Sequence, residues 1–145
     1  MASQTVVLDT NIVLDLFVFA DEAARPLRSR LEDGDLRWLA TASMRDELER
    51  VLAYAQIAAR LAFYGLAAAD VLGIFDRHSV QVGVPAKAPV TCKDPDDQQF
   101  VDLAVAHGAV LLSKDRAVLA LKKRLELLAV HAGTTLPARE SSSRA

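Results

Sequence analysis

Asp9, Glu47, Asp97 and Asp115 are the residues of this 145-residue chain whose type and setting could do chemistry. Asp9 ends the apolar run Val6-Val7-Leu8, and Asp115 follows Leu111-Leu112-Ser113-Lys114. Asp97 closes the string Asp94-Pro95-Asp96-Asp97, and Glu47 sits in the amphipathic stretch 43–52. Ionised carboxylates that converge without Lys or Arg repel one another. A divalent cation relieves that conflict, and an all-oxygen set completed by water suits Mg²⁺ or Mn²⁺. Carboxylate-held ions beside a phosphate are the usual apparatus of phosphodiester cleavage: they orient a water, lower its pKa and stabilise the leaving oxygen.

Each acid also has a purely structural use. Asp is favoured where a strand turns into a helix, so Asp9 and Asp115 fit as helix caps. Asp94 followed by Pro95 is a strong helix start, with Asp97 at its third position. Helical geometry separates the remaining acids. Met44, Leu48, Val51, Leu52 and Ala55 form one apolar stripe, and Glu47 lies at its edge while Asp46 points away. Asp97 shares a face with Phe100, Val101 and Ala104, whereas Asp102 falls on the polar side. Glu47 and Asp97 therefore face inward while carrying charge, which is costly without compensation.

The elements that must position these residues alternate in kind. Short strands are expected at 6–8, 37–40, 80–82, 109–112 and 127–130. Helices are expected at 10–19, 21–33 (stopped by Gly34), 43–52, across 54–78, over 95–107 and after Asp115. Such alternation predicts a three-layer α/β/α sandwich around a central, mostly parallel sheet, with ligands beyond the carboxyl ends of its strands. One domain over 1–136 and a disordered tail over 137–145 are expected, the tail on its Glu-Ser-Ser-Ser-Arg-Ala composition. With 17 basic and 19 acidic residues the net charge is −2, so nucleic acid would need a local patch. The 52% apolar content rules out general disorder, and the single Cys92 forms no internal disulfide or zinc cluster. No apolar run reaches the ~20 residues of a membrane span and no leader is recognisable, so a cytoplasmic protein is expected. His78, His107 and His131 fall near element ends, where incidental roles are common.

In its motifs the sequence resembles the PIN-domain nucleases. Val6-Val7-Leu8-Asp9-Thr10-Asn11-Ile12 is similar to their opening motif, and Glu47-Leu48-Glu49-Arg50-Val51-Leu52 to the segment holding the second acid. Cys92 to Phe100 followed by Leu103-Ala104 resembles the third motif, and Leu111-Leu112-Ser113-Lys114-Asp115 the fourth, with Ser113 where Thr is more usual. The 18-residue spacing of Asp97 and Asp115, and the Asp-Pro-Asp-Asp form, are similar to the branch of toxins in toxin–antitoxin pairs. The resemblance spans about residues 5–130 and implies a divalent-metal endoribonuclease. It implies Asp9, Glu47, Asp97 and Asp115 as ligands to Mg²⁺ or Mn²⁺, directly or through water, with Asn11 and Ser113 supporting them. Asp94 fits both a helix cap and an outer acid. Lys114, Arg116, Arg45 and Arg50 lie near the acids and would supply a phosphate-binding rim. An RNA substrate, an antitoxin partner and a homodimer built in part on 54–78 complete what the resemblance implies.

Two other classes compete. A phosphotransfer domain also places Asp at the end of its first strand, but the phosphatase type needs a second acid two residues on, where this chain has Asn11. A receiver needs paired acids there, and Leu8-Asp9-Thr10 supplies one. A catalytically silent PIN-fold interaction module would use the acids only as caps; the presence of all four argues against a decayed site.

Overall fold

A computed structural model describes residues 4–137 of the chain. Five strands form one sheet: β1 (Gln4–Leu8), β2 (Leu36–Ala40), β3 (Ser79–Gln81), β4 (Val110–Leu112) and β5 (Ala132–Gly133), in the order β3-β2-β1-β4-β5. Every pairing is parallel. Parallel strands need long crossovers, and helices supply them on both faces of the sheet. These are α1 (Thr10–Phe17), α2 (Arg25–Glu32), α3 (Ala42–Leu52), α4 (Ala55–Phe63), α5 (Ala68–His78), α6 (Gln98–His107), α7 (Arg116–Leu119) and α8 (Lys122–Leu127). Short 3₁₀ turns precede α2 and α6, at Glu22–Ala24 and Pro95–Asp97.

The centre of the sheet reads as a continuous apolar run because both its faces are covered. Val6, Val7, Leu8, Leu111 and Leu112 are all buried. Trp38 of β2 lies between two rings, stacked with Phe17 at 6.3 Å and edge-on to Phe75 at 4.9 Å. Beneath the other half, α6 seats Phe100, Val101, Leu103 and Ala104 against β1 and β4. Gly108, at φ +60°, takes the left-handed turn that ends α6 and starts β4, and Gly34, at φ +75°, follows α2 as expected.

Two expectations need correction. The apolar run 127–130 is not a strand. It is the end of α8 and a tight turn, with Val130 N–H bonded back to the Leu125 carbonyl at 2.9 Å and Ala129 at φ +62°. Leu125 before the run and Val130 at its end are buried while Leu127 is exposed, and the strand follows at Ala132–Gly133. The stretch 54–78, expected as one or two helices, is the two helices α4 and α5, bent by 89° at the Gly65 break, and needs no correction. The helix expected over 95–107 begins as a 3₁₀ turn before α6 takes over. The expected tail lies outside the described residues, apart from Pro137. Among the described residues no single helix is long and apolar enough to cross a membrane.

Because Phe100 fills the space between α6 and the sheet, Phe100→Ala should lower unfolding stability by ~3–5 kcal/mol. Urea denaturation of the variant against the parent protein measures this directly.

Candidate functional site

The order β3-β2-β1-β4-β5 reverses direction between β1 and β4, and a crevice opens at such a switch point beyond the strand ends. Two of the four sequence-predicted acids stand there. Asp9 follows β1, and its N–H extends the ladder to the Leu112 carbonyl at 3.1 Å. Asp115 follows β4 by way of Ser113, whose N–H reaches the Gly133 carbonyl at 3.0 Å. Asp97 arrives from the side, as the residue preceding α6.

Capping and convergence occur together. Asp9 caps α1, its Oδ1 accepting from Ile12 N–H at 3.0 Å. Asp115 caps α7 through Ala117 N–H at 2.8 Å, and Asp94 caps the 3₁₀ turn through Asp96 N–H at 3.0 Å. Each cap uses one carboxylate oxygen and so fixes where the other lies. Asp97 differs: its side chain makes no capping bond. Instead Asp94, Asp97 and Asp115 bring carboxylate oxygens within 4.8 Å of one another, and Oδ2 of Asp97 is buried without a partner.

Ser113 ties the strands' ends together. Its buried hydroxyl donates to Asp9 Oδ2 and accepts from the Asp115 N–H at 3.0 Å. Burial raises the Asp9 pKa above the usual range; the Ser113 and Ile12 hydrogen bonds oppose the shift. Asp97 is pushed up to about 8, first by burial and then by a hydrogen bond with Asp115 that only a protonated carboxyl can donate. The charges of Asp115, Asp94 and Asp9 add to it. Among the described residues none of these four acids has a Lys or Arg nitrogen within 4 Å. Hard carboxylate oxygens close together, one of them buried without a partner, form a donor set that could hold a divalent cation.

Glu47 reaches the same region from α3, half-buried, but stands outside that three-carboxylate group. Its oxygens are held by Thr10 Oγ1 at 2.5 Å and Gln99 Nε2 at 2.9 Å. Neither donor is signalled by the sequence, since the contacts span 37 and 52 positions. Equally unforeseen is Gln98, whose side chain takes Cys92 N–H at 2.6 Å and donates to the Val90 carbonyl and to Asp102. Asp102 also accepts from Ala88 N–H at 2.9 Å, so it is an anchor for the 88–92 loop rather than a solvated acid.

The basic residues divide. Arg45 lies on the far side of α3, in a two-bond ion pair with Asp76 at 2.7 and 2.9 Å, and does not join the rim. Lys114 is paired with Asp15 of α1 at 2.5 Å, which raises its pKa. Arg50 is exposed and lines, with Glu47, Gln99 and Asp96, a cleft of about 390 Å³ between α3 and the 95–97 turn. Arg116 is exposed at the start of α7, and Asn11 is exposed on the first turn of α1.

A doubly wound parallel sheet whose switch point gathers carboxylates, with no ion-paired Lys or Arg among the described residues, defines an α/β protein with an acidic centre. The family model described as the PIN domain matches residues 5–117, and the chain belongs to the PIN-domain family, whose members are generally nucleases. Its fold is similar to that of a chain in VapBC2 from Rickettsia felis, a crystal structure bound to a DNA fragment from their promoter. That likeness has a TM-score of 0.57 at 14% identity and covers 89% of this chain and 98% of the other. No curated protein matches the sequence.

The raised Asp97 pKa has a definite sign in stability. Between the ordinary 3.8 and about 8 the folded protein keeps a proton that the unfolded chain releases. The associated stabilisation is full below 3.8 and lost as pH rises through about 8. Thermal melts in EDTA should therefore decline from pH 5 to pH 8.5, and Asp97→Asn should flatten that decline. Parallel profiles for the two proteins would remove Asp97 as the cause.

Proposed function

We propose that this protein is a divalent-metal-dependent endoribonuclease acting in the cytoplasm as the toxin of a toxin–antitoxin pair. The observation that carries the reading is the group Asp94, Asp97 and Asp115, joined to Asp9 through Ser113, with no Lys or Arg nitrogen of the described residues within 4 Å. Membership of the PIN-domain family supports phosphodiester hydrolysis. The fold likeness to VapBC2, solved on DNA from their promoter, supports an antitoxin partner, which would cover the acidic cleft.

Asp9, Glu47, Asp97 and Asp115 would hold Mg²⁺ or Mn²⁺ directly or through water, with Asn11, Ser113 and Asp94 supporting them from behind. The ion, when bound, supplies Lewis-acid activation of water and charge neutralisation at the leaving oxygen. The chain's own contribution is preorganisation. Backbone N–H groups and the Ser113 hydroxyl hold Asp9 and Asp115 in place before substrate arrives. Arg50 and Arg116, exposed near the acids, would meet RNA phosphates; Lys114 would do so only by leaving Asp15. Tyr54, Phe63 and Tyr64 flank or end α4 and are exposed, an apolar surface that supports the homodimer.

Purified protein with Mn²⁺ or Mg²⁺ should cut single-stranded or loop RNA, and EDTA should abolish cutting. RNA left intact by antitoxin-free protein would falsify the nuclease reading. Asp97→Asn should melt as high as the parent or higher at pH 7 without metal, yet lose metal-induced stabilisation and at least ~10-fold in cleavage. A capping role would instead cost ~1 kcal/mol and leave the metal response unchanged. Light scattering at high micromolar concentration should give the mass of two chains, and a monomer would remove the dimer.

A further inference from the structure

We infer that Thr10 and Gln99 are positioning residues that clamp the Glu47 carboxylate, an inference that rests on the nuclease reading and deepens it. Glu47 is the one acid of the four that comes from the β2 side of the sheet, at the end of a long side chain on α3. Such a carboxylate has several rotamers to choose from, and a charged group has to be held to act in one of them.

The two donors account for both of its oxygens. Thr10 Oγ1 donates to Oε2 at 2.5 Å and Gln99 Nε2 to Oε1 at 2.9 Å. Thr10 immediately follows Asp9, and Gln99 lies two residues beyond Asp97. The clamp thus links the three chain segments that carry Asp9, Glu47 and Asp97. Both donors are neutral, and among the described residues no Lys or Arg nitrogen lies within 4 Å of Glu47. The negative charge is therefore held in place without being cancelled.

Gln99 also shows what a merely structural role would not. Its amide donates to Glu47 and, at 3.4 Å, to the Asp96 carbonyl, while its own Oε1 is buried without a partner. Turning the amide over would set the carbonyl oxygen against the carboxylate and lose the bond to Glu47. A buried orphaned acceptor lowers stability, and an apolar side chain of similar length would avoid it. Gln99 is poorly suited to packing and well suited to holding Glu47.

Three variants test the clamp: Gln99→Met, which keeps length and removes the amide; Thr10→Val, which keeps shape and removes the donor; and Thr10→Ser, which restores it. Thermal melts, Mn²⁺ titration calorimetry without RNA, and kcat and KM on single-stranded RNA are measured for each. Gln99→Met should melt as high as the parent. Both Gln99→Met and Thr10→Val should lose ~10–100-fold in Mn²⁺ affinity or in kcat with KM unchanged, the size expected for a partner behind a ligand. Thr10→Ser should recover most of the loss. Parent-like Mn²⁺ affinity and kcat in both Gln99→Met and Thr10→Val would overturn the clamp, as would a Thr10→Ser variant no better than Thr10→Val. If the parent protein cuts no RNA, the nuclease reading fails while the Mn²⁺ affinities still decide the clamp.

Discussion

Mutual repulsion among carboxylates is the constraint around which the rest of this structure is arranged. Asp9, Asp94, Asp97 and Asp115 are brought to one end of a parallel sheet, and no Lys or Arg nitrogen of the described residues lies within 4 Å of them. In a folded chain without an ion, one proton retained on Asp97 is the least costly answer. The rigidity of the surroundings follows from that conflict. A loose loop would let the acids drift apart, whereas strands buried on both faces and capped helices cannot move them cheaply.

Capping is the means by which the chain imposes that closeness. The hydrogen bonds that start α1 and α7 are the same bonds that orient Asp9 and Asp115. Structural and chemical uses of these residues are therefore one arrangement rather than alternatives. Asp97 is the exception that reveals the rule, since it stands at a helix start and caps nothing. The Gln98–Asp102 network extends the same economy to the loop before it, pinning residues 88–92 so that Asp94 enters from a fixed direction.

Much of this is legible in the residue order because it is local. The strands ending at Leu8, Ala40 and Leu112 show as short apolar runs stopped by polar residues, and helical periodicity alone turns Glu47 and Asp97 inward. What escapes is set by distance along the chain or by ambiguity of period. Thr10 and Gln99 acquire meaning only when α1, α3 and α6 meet. Arg45 looks like a neighbour of Glu47 by number, but two residues on a helix are nearly opposite, and Asp76 claims it. The run 127–130 has the composition of a strand and the spacing of a helix end; Leu125 and Val130 both fit the core, and the turn between them wins.

The sheet order carries a consequence for how the molecule comes into being. β1 is made first and pairs on one side with β2, but its other edge waits for β4. Asp9 and Asp115 are 106 positions apart in the chain, so at the usual pace of translation roughly 5–20 s separate their appearance. Until then Asp9 has neither Ser113 nor Asp115 beside it, and the acidic centre is incomplete. Synthesis order thus acts as a built-in delay: the nascent chain cannot complete its acidic centre until the segment carrying Ser113 and Asp115 has been made.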